Sequence, residues 1–223
     1  MTEHPILFTT PMVRAIIAGK KTQTRRLSGL ADVNEKPDIW TFRGTGVLGY
    51  MAKPSVKGRF GAYFDTEKLE PRTMNICPQL FPYGGVGSRL WVREAWSLSG
   101  NWDGVKISEL PLMALKTDIV YRADEKYPDA GYYNWKPSIF MPRLASRILL
   151  EITDIRVERV KDISEKDAQA EGITTAWHGG AKEKTYIGEY SILWDEINRA
   201  GGNGWEKNPF VWCISFQVVN NAK

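Results

Sequence analysis

Histidine and cysteine are scarce in this chain of 223 residues, which holds two of each. His4 and His178 are too few for a His-rich zinc site. Cys77 and Cys213 lack the spacing of a metal-binding pair, so we expect reduced thiols. We therefore predict no cofactor, and carboxylate-bound Mg²⁺ or Mn²⁺ is the one metal chemistry left open.

Long apolar runs are also missing. No stretch approaches the roughly 18 residues that a membrane helix needs, and MTEHPILFTTPM at the start does not have the pattern of a secretory signal. We therefore expect a cytoplasmic protein with no membrane partner. An apolar share of 43% and a charged share of 25% are ordinary for a globular chain, and we predict a single domain over residues 1–223.

Positive charge is in mild excess, with a net charge of +4 and a pI near 9.0. This permits a nucleic-acid partner without requiring one. The densest cationic stretch is GKKTQTRR, residues 19–26. It is compatible with a solvated turn, an anion clamp or a catalytic centre. Crowded cations lower a lysine pKa, and such a lysine can activate a threonine hydroxyl.

Three short helices are predicted. The first begins near Thr10-Pro11 and ends at Gly19. The second, residues 163–173, has Ser164 as a cap and Gly172 as its terminator. The third spans about Glu189–Arg199, and its core-facing stripe is Tyr190, Leu193, Trp194 and Ile197.

Extended segments make up most of the remaining pattern. A change of apolar phase within Arg147–Val160 predicts a β-bulge near Thr153-Asp154. Residues 98–137 are predicted to be irregular. The predicted strands are Ile39–Phe42, Val47–Met51, 88–96, Arg147–Val160 and 209–219. The sum is a mostly β chain with short helices (α+β), arranged as a small β-barrel.

These residues resemble the ASCH family of the PUA-like superfamily, in particular the longer ASCH proteins of phages. Gly19, Lys21 and Arg26 match the family signature, and Thr24 stands where many members have glutamate. GVGSRLWVRE and FVWCISF resemble two further family elements. The resemblance implies a PUA-like barrel, here with two long insertions at about 28–83 and 98–137.

The branch of this family that removes the acetyl group from N4-acetylcytidine also has lysine-threonine-any-threonine at this place. The resemblance implies that Lys21 and Thr24 are catalytic together with a later glutamate. In the family this glutamate lies on a helix whose first residues resemble SEKDA, residues 164–168 here. The resemblance therefore places the glutamate at Glu171. A carboxylate in the last turn of a helix opposes the macrodipole, so Glu171 is either solvated or held by a cation such as Lys21.

Other residues are candidates for binding a nucleobase or phosphates. Trp91 and Arg93 share a strand face and, with Trp96, can stack on a base, although tryptophans equally fill cores. Lys20, Arg25 and Arg26 can contact an oxyanion or a phosphate. Arg143 and Arg147 can extend that surface or pair with Glu94 or Asp154.

The leading hypothesis is a protein that binds a nucleoside or RNA and hydrolyses the amide of N4-acetylcytidine-type substrates. The first alternative is a non-catalytic module for RNA or modified DNA. The second is an ASCH-type ribonuclease, in which a divalent cation near Glu171 can take part.

Overall fold

A computed structural model describes residues 2–49, 52–66, 76–98, 102, 105–106, 109–111, 113–124, 133–174 and 185–219. The strands are β1 (Glu3–Leu7), β2 (Gln23–Arg26), β3 (Thr41–Val47), β4 (Phe60–Asp65), β5 (Ile76–Leu80), β6 (Arg89–Arg93), β7 (Trp96–Leu98), β8 (Ile119–Tyr121), β9 (Leu149–Arg159) and β10 (Phe210–Val219). The α-helices are α1 (Thr10–Ile17), α2 (Ala31–Glu35), α3 (Ala114–Thr117), α4 (Glu165–Ala170) and α5 (Tyr186–Asn198).

The main sheet has five strands in the order β1-β6-β9-β10-β2. β1 and β6 are parallel, and the other neighbours are antiparallel. A second sheet has the order β3-β4-β5, and β7 pairs with β8. The mostly β, α+β class is therefore confirmed.

The predicted barrel does not close in the part of the chain that the structure describes. β1 and β2 are the two outer strands of the main sheet, and they are not paired with each other. The strands that could have extended this sheet, β3 to β5, instead pair among themselves. The edge of β2 is left for helices to cover.

The core lies on both faces of β10. Trp212, Ile214 and Phe216 pack into the larger cluster, with Phe8 and residues of β3 to β5. Val211 and Cys213 point the opposite way, into a smaller cluster beneath α4 and α5. The predicted strand 209–219 is therefore present, and Cys213 is a buried free thiol.

The segment predicted as the first insertion is part of the larger core. Leu30, Val33, Phe64 and Phe81 are fully buried in the same cluster as Trp212. The ring centroid of Phe81 lies 4.9 Å from that of Trp212. The described part of residues 28–83 therefore contributes to the packing of the main sheet.

The predicted bulge is confirmed. Ser215 pairs with Asp154, but the next residue, Phe216, pairs with Ile152, so Thr153 is the extra residue in β9. The two glycines predicted to end helices, Gly19 and Gly172, both have positive φ, +69° and +85°. The first helix is capped at Thr9 rather than Thr10, without a side-chain bond.

Three predicted elements need correction. Residues 88–96 are two strands, because β6 ends at Arg93 and Trp96 then bonds the backbone of Lys136. Two strands, Ile39–Phe42 and Val47–Met51, were predicted where the structure has the single strand β3, Thr41–Val47. Met51, the predicted end of the second strand, lies outside the described residues. Residues 98–137, predicted irregular, contain α3 and β8.

The third helix begins earlier than predicted, at Tyr186. Tyr190 and Trp194 are buried as predicted, but Ile197 is 52% exposed. In the described residues, no helix is both long and apolar enough to cross a membrane.

Asn34 provides a test of how α2 is attached to the sheet. Its side-chain nitrogen donates to Phe210 O (2.8 Å), and its oxygen accepts from Phe210 N (2.7 Å). Asn34→Ala leaves both buried backbone groups unpaired, so we expect the free energy of unfolding to fall by about 2–3 kcal/mol in urea denaturation. The exposed neighbour change Glu35→Ala should cost less than about 0.5 kcal/mol, and equal losses would refute this role of Asn34.

Candidate functional site

The turn after α1 positions Lys21. Gly19 ends the helix in the left-handed region, and the amides of Lys20 and Lys21 both donate to Ala15 O. Thr22 N then donates to Ala170 O at 2.9 Å. As a result, Lys21 forms an antiparallel bridge with Glu171, the residue that follows α4.

Gly172 allows this close approach. Its φ is +85°, and a Cβ there would lie 3.0 Å from the Cβ atoms of Ala15 and Lys21. The predicted helix terminator therefore has a second role, since a side chain at this position would separate α1 and Lys21 from the end of α4.

The Lys21 ammonium is bound by Glu171 in two ways. Nζ donates to Glu171 Oε2 at 2.6 Å and to the Glu171 backbone oxygen at 2.8 Å. The Lys21 side chain is 0% exposed and that of Glu171 is 4% exposed. Nζ also lies 5.6 Å from the centre of the Phe8 ring. Of the two possibilities for Glu171, the structure shows the one in which Lys21 holds it.

Burial lowers the pKa of Lys21 below its ordinary value, although the Glu171 carboxylate opposes this shift. The nearby charges of Arg26 and Arg25 lower the pKa further. The predicted direction is therefore confirmed, but desolvation rather than like charge is its main cause.

Arg25 is sealed beneath the same carboxylate. Its side chain is 0% exposed, and its Nη1 lies 3.4 Å from Glu171 Oε1. Its Nη2 lies 3.2 Å from Glu158 Oε2 and 3.6 Å from Asp167 Oδ2. Arg25 therefore has structural ion pairs on this side of the sheet and is not an open phosphate ligand.

Glu158 and Asp167 are members of the site that the sequence did not reveal. Both also pair with Arg156, which pairs with Asp154 as well. The ion pairs therefore join three cations, Lys21, Arg25 and Arg156, to four carboxylates, Asp154, Glu158, Asp167 and Glu171. Burial alone would raise the pKa of Glu158, but bonds from Arg156 and Cys213 outweigh it and the pKa is lowered. The signal available in the sequence was the phase of β9, which places Arg156 and Glu158 on one face.

Thr24 lies on the opposite face of β2 from Arg25. It pairs with Ile214, whereas Arg25 pairs with Cys213. Thr24 is 3% exposed, and its hydroxyl has no hydrogen-bond partner among the described residues. Because β2 is an outer strand, both of its faces border the space beside it.

That space is a cavity of about 180 Å³ between β2 and α5. Thr24, Arg25, Arg26 and Glu171 line it from the sheet side, and Tyr190, Leu193, Trp194, Ile197 and Asn198 line it from α5. A second cavity of about 240 Å³ adjoins it and shares Met12, Glu171 and Leu193 with it. The predicted residues Thr24 and Glu171 therefore line one cavity. Lys21 does not line it and is attached to it through its bonds to Glu171.

Arg26 and Lys20, the other two cations of GKKTQTRR, lie at different cavities. Arg26 lies on the cavity wall, with its guanidinium 5.0 Å from the centre of the Phe8 ring and its Nη2 donating to Leu7 O at 2.7 Å. Lys20 is exposed and lines a different cavity, together with Lys166 and Tyr186.

The predicted base-binding residues do not line the cavity of Thr24. Trp96 is 0% exposed in a separate hydrophobic cluster, so stacking on a base would require that cluster to open. Trp91 is 8% exposed, and the Arg93 guanidinium lies 4.6 Å from its ring centre.

The two remaining candidate arginines, Arg143 and Arg147, form ion pairs. Arg143 Nε lies 2.8 Å from Glu3 Oε2. Arg147 pairs with Glu94, one of the two partners predicted for it, at 3.0 Å, and also with Asp124. Within the described ranges, no group of three or more His, Cys, Asp or Glu side chains is arranged to hold a metal ion. His178 lies outside those ranges.

The comparison with solved structures gives a distant likeness. No family model and no curated protein matches the chain. The chain is similar to the crystal structure of protein EF3133 from Enterococcus faecalis V583, of family model DUF984, with 12% identity and a TM-score of 0.35. The match covers 92% of this chain and 65% of the other, so this chain spans less than two thirds of that protein. The likeness is too distant to assign a shared fold or activity.

The buried pair can be tested through the stability of single and double variants. Glu171→Leu leaves the Lys21 ammonium uncompensated, and we expect the free energy of unfolding to fall by about 3–5 kcal/mol. Lys21→Met combined with Glu171→Leu removes both charges, so much of that loss should be recovered. Urea denaturation of the three variants measures the coupling.

The matched control is an exposed pair. Glu3→Ala removes the partner of Arg143, whose side chain is 39% exposed, and should cost at most about 1 kcal/mol. Additive losses from Lys21→Met and Glu171→Leu would contradict the proposed coupling.

Proposed function

We propose that this chain is a PUA-like ASCH protein that hydrolyses the amide of N4-acetylcytidine-type nucleosides. The observation that carries the proposal is the arrangement of Lys21, Thr24 and Glu171. Glu171 lines the same cavity as Thr24 and binds the Lys21 ammonium at 2.6 Å. A hydroxyl, an amine of lowered pKa and a carboxylate that orients it are the parts of an activated nucleophile.

In the first step, the neutral Lys21 amine accepts the proton of the Thr24 hydroxyl. Thr24 Oγ1 bonds to the carbonyl carbon of the acetyl group, and the carbonyl electron pair moves to its oxygen. Glu171 acts here as a positioning residue, because its side-chain and backbone oxygens both fix Nζ.

In the second step, the carbonyl re-forms and the bond from carbon to the exocyclic nitrogen breaks. The leaving amine takes the proton from the Lys21 ammonium, so cytidine departs neutral. Water then attacks the acetyl-threonine ester and gives one proton to Lys21, which passes it to the departing Thr24 oxygen. Acetic acid leaves and ionises to acetate, and its proton goes to solvent.

The described residues favour this chemistry over a binding module that stacks bases. Trp96 is buried and Arg25 has its guanidinium among three carboxylates, so two of the groups such a module would use are engaged inside the protein. Arg26 also lines the cavity, where it can contact a carbonyl oxygen or a phosphate.

Release of acetate from N4-acetylcytidine tests the proposal. The wild-type chain should turn over, and Thr24→Val, which keeps the shape but removes the hydroxyl, should lose at least about 10³-fold in kcat. Thr24→Ser is the matched control, because it keeps a hydroxyl and should retain measurable turnover. Lys21→Met should be as inactive as Thr24→Val.

Near-wild-type turnover by Thr24→Val would exclude Thr24 as the nucleophile. No turnover by a folded wild-type chain would exclude this substrate, and binding of single-stranded RNA that weakens steeply with salt would then favour the nucleic-acid alternative.

The pH dependence tests the role of Lys21. Since the neutral amine is the base, kcat/KM should rise with pH through the pKa of Lys21, which lies below 10.5. Glu171 favours the ammonium form, so Glu171→Gln should move the rise to lower pH while reducing the rate. A rise that stays in place or moves to higher pH in this variant would contradict the assignment.

A further inference from the structure

One wall of the cavity comes from a part of the chain that the family resemblance does not cover. α5 supplies Tyr190, Leu193, Trp194, Ile197 and Asn198. It lies between Glu171 and FVWCISF, the last two parts of the chain for which the resemblance was described. A chemical role for α5 is therefore a property of this chain that the motif does not imply.

Tyr190 is the residue of this wall with a hydroxyl. The residue is 4% exposed, and its ring is held between neighbours on three sides. The centroids of Trp194 and Trp205 lie 6.1 and 6.2 Å away, and the Arg25 guanidinium lies 5.9 Å from the ring centre. The ring is thus fixed next to the site.

The hydroxyl itself has no such attachment. No described residue forms a hydrogen bond with it, and it is not among the polar atoms that are sealed from solvent without a partner. A buried hydroxyl is costly to leave unpaired unless it reaches water or a ligand. Tyr190 lines the cavity, which is where water or a ligand can meet its hydroxyl.

The hydrolysis needs hydrogen-bond donors at the carbonyl oxygen, and Arg26 is one candidate on the cavity wall. When Thr24 attacks, negative charge develops on the carbonyl oxygen in a cavity whose wall already holds the Glu171 carboxylate. Arg25 cannot meet that charge fully, because its Nη1 donates to Gln23 and Glu171 and its Nη2 to Glu158. A neutral donor that faces the cavity stabilises the oxyanion without disturbing these pairs.

We propose that Tyr190 is a further catalytic residue, whose hydroxyl donates a hydrogen bond to the oxyanion formed when Thr24 attacks the acyl group. This inference rests on the proposed hydrolysis and adds one hydrogen bond to it. No proton is transferred from Tyr190, so the covalent steps are unchanged.

The hydroxyl stays protonated through the working range of pH. Burial raises the pKa of Tyr190 well above 10, and the Glu171 charge raises it further, while Arg25 and Arg26 oppose the shift. Titration of Tyr190 therefore adds no further rise or fall to the dependence of kcat/KM on pH.

Tyr190→Phe is the decisive variant, because it keeps the packed ring and removes an oxygen that has no partner in the described protein. We expect kcat for N4-acetylcytidine to fall on the order of 10²-fold, with KM and the pH limb of Lys21 unchanged. The thermal midpoint should also stay unchanged. Tyr186→Phe, on the first turn of the same helix, is the control and should keep wild-type kcat.

Unchanged kcat in Tyr190→Phe, beside an active wild type, would overturn the role of Tyr190 and leave the proposed hydrolysis intact. An inactive wild type would instead overturn the hydrolysis, so the two failures are distinguishable.

A second measurement decides the inference without turnover. Sodium acetate, which carries an anionic oxygen on the same acyl group, is titrated into protein with ¹³C-labelled tyrosine rings, against sodium chloride at equal ionic strength. A saturable shift of the Tyr190 signal, assigned by its absence in Tyr190→Phe, supports an oxyanion-binding hydroxyl. A Tyr190 signal that responds equally to both salts would overturn it.

Discussion

The buried contact between Lys21 and Glu171 is the constraint on which the site depends. An ammonium with a 0% exposed side chain is stable only beside a carboxylate, and that carboxylate must come from the distant end of α4. The turn at Gly19, the bridge between the two backbones and the missing side chain at Gly172 all serve this approach. Arg25 and Arg156 extend this contact into a cluster of ion pairs with Glu158 and Asp167.

The contact between the end of α4 and the residues before β2 also protects the open edge of the main sheet. An outer strand exposes unpaired backbone groups and is a site for unwanted pairing. β2 is short, and next to it Thr22 N bonds to Ala170 O and Lys21 bridges Glu171. α5 then covers the rest of the edge and leaves a cavity rather than a packed interface. The cavity is therefore a consequence of covering a strand with a helix.

The local elements of the fold were predictable because their signals are local. Pro11 and Gly19 bound α1, Ser164 caps α4, and the phase change in β9 marks the bulge at Thr153. Elements whose limits depend on distant partners were not predictable. Trp96 leaves β6 because its backbone bonds to Lys136, forty residues on along the chain. The closed barrel was predicted from strand count, which does not specify which strands pair.

The sequence by itself determined that Lys21, Thr24 and Arg26 lie in one short segment after a helix, and that Glu171 ends another helix. Spacing and capping residues are enough for that, because they act within a few residues. Only the tertiary structure decided that Glu171 accepts from Lys21, that Arg25 is enclosed by Glu158 and Asp167, and that Tyr190 faces the cavity of Thr24. These contacts join segments more than a hundred residues apart, and burial, which no local pattern encodes, sets both their charges and their chemistry.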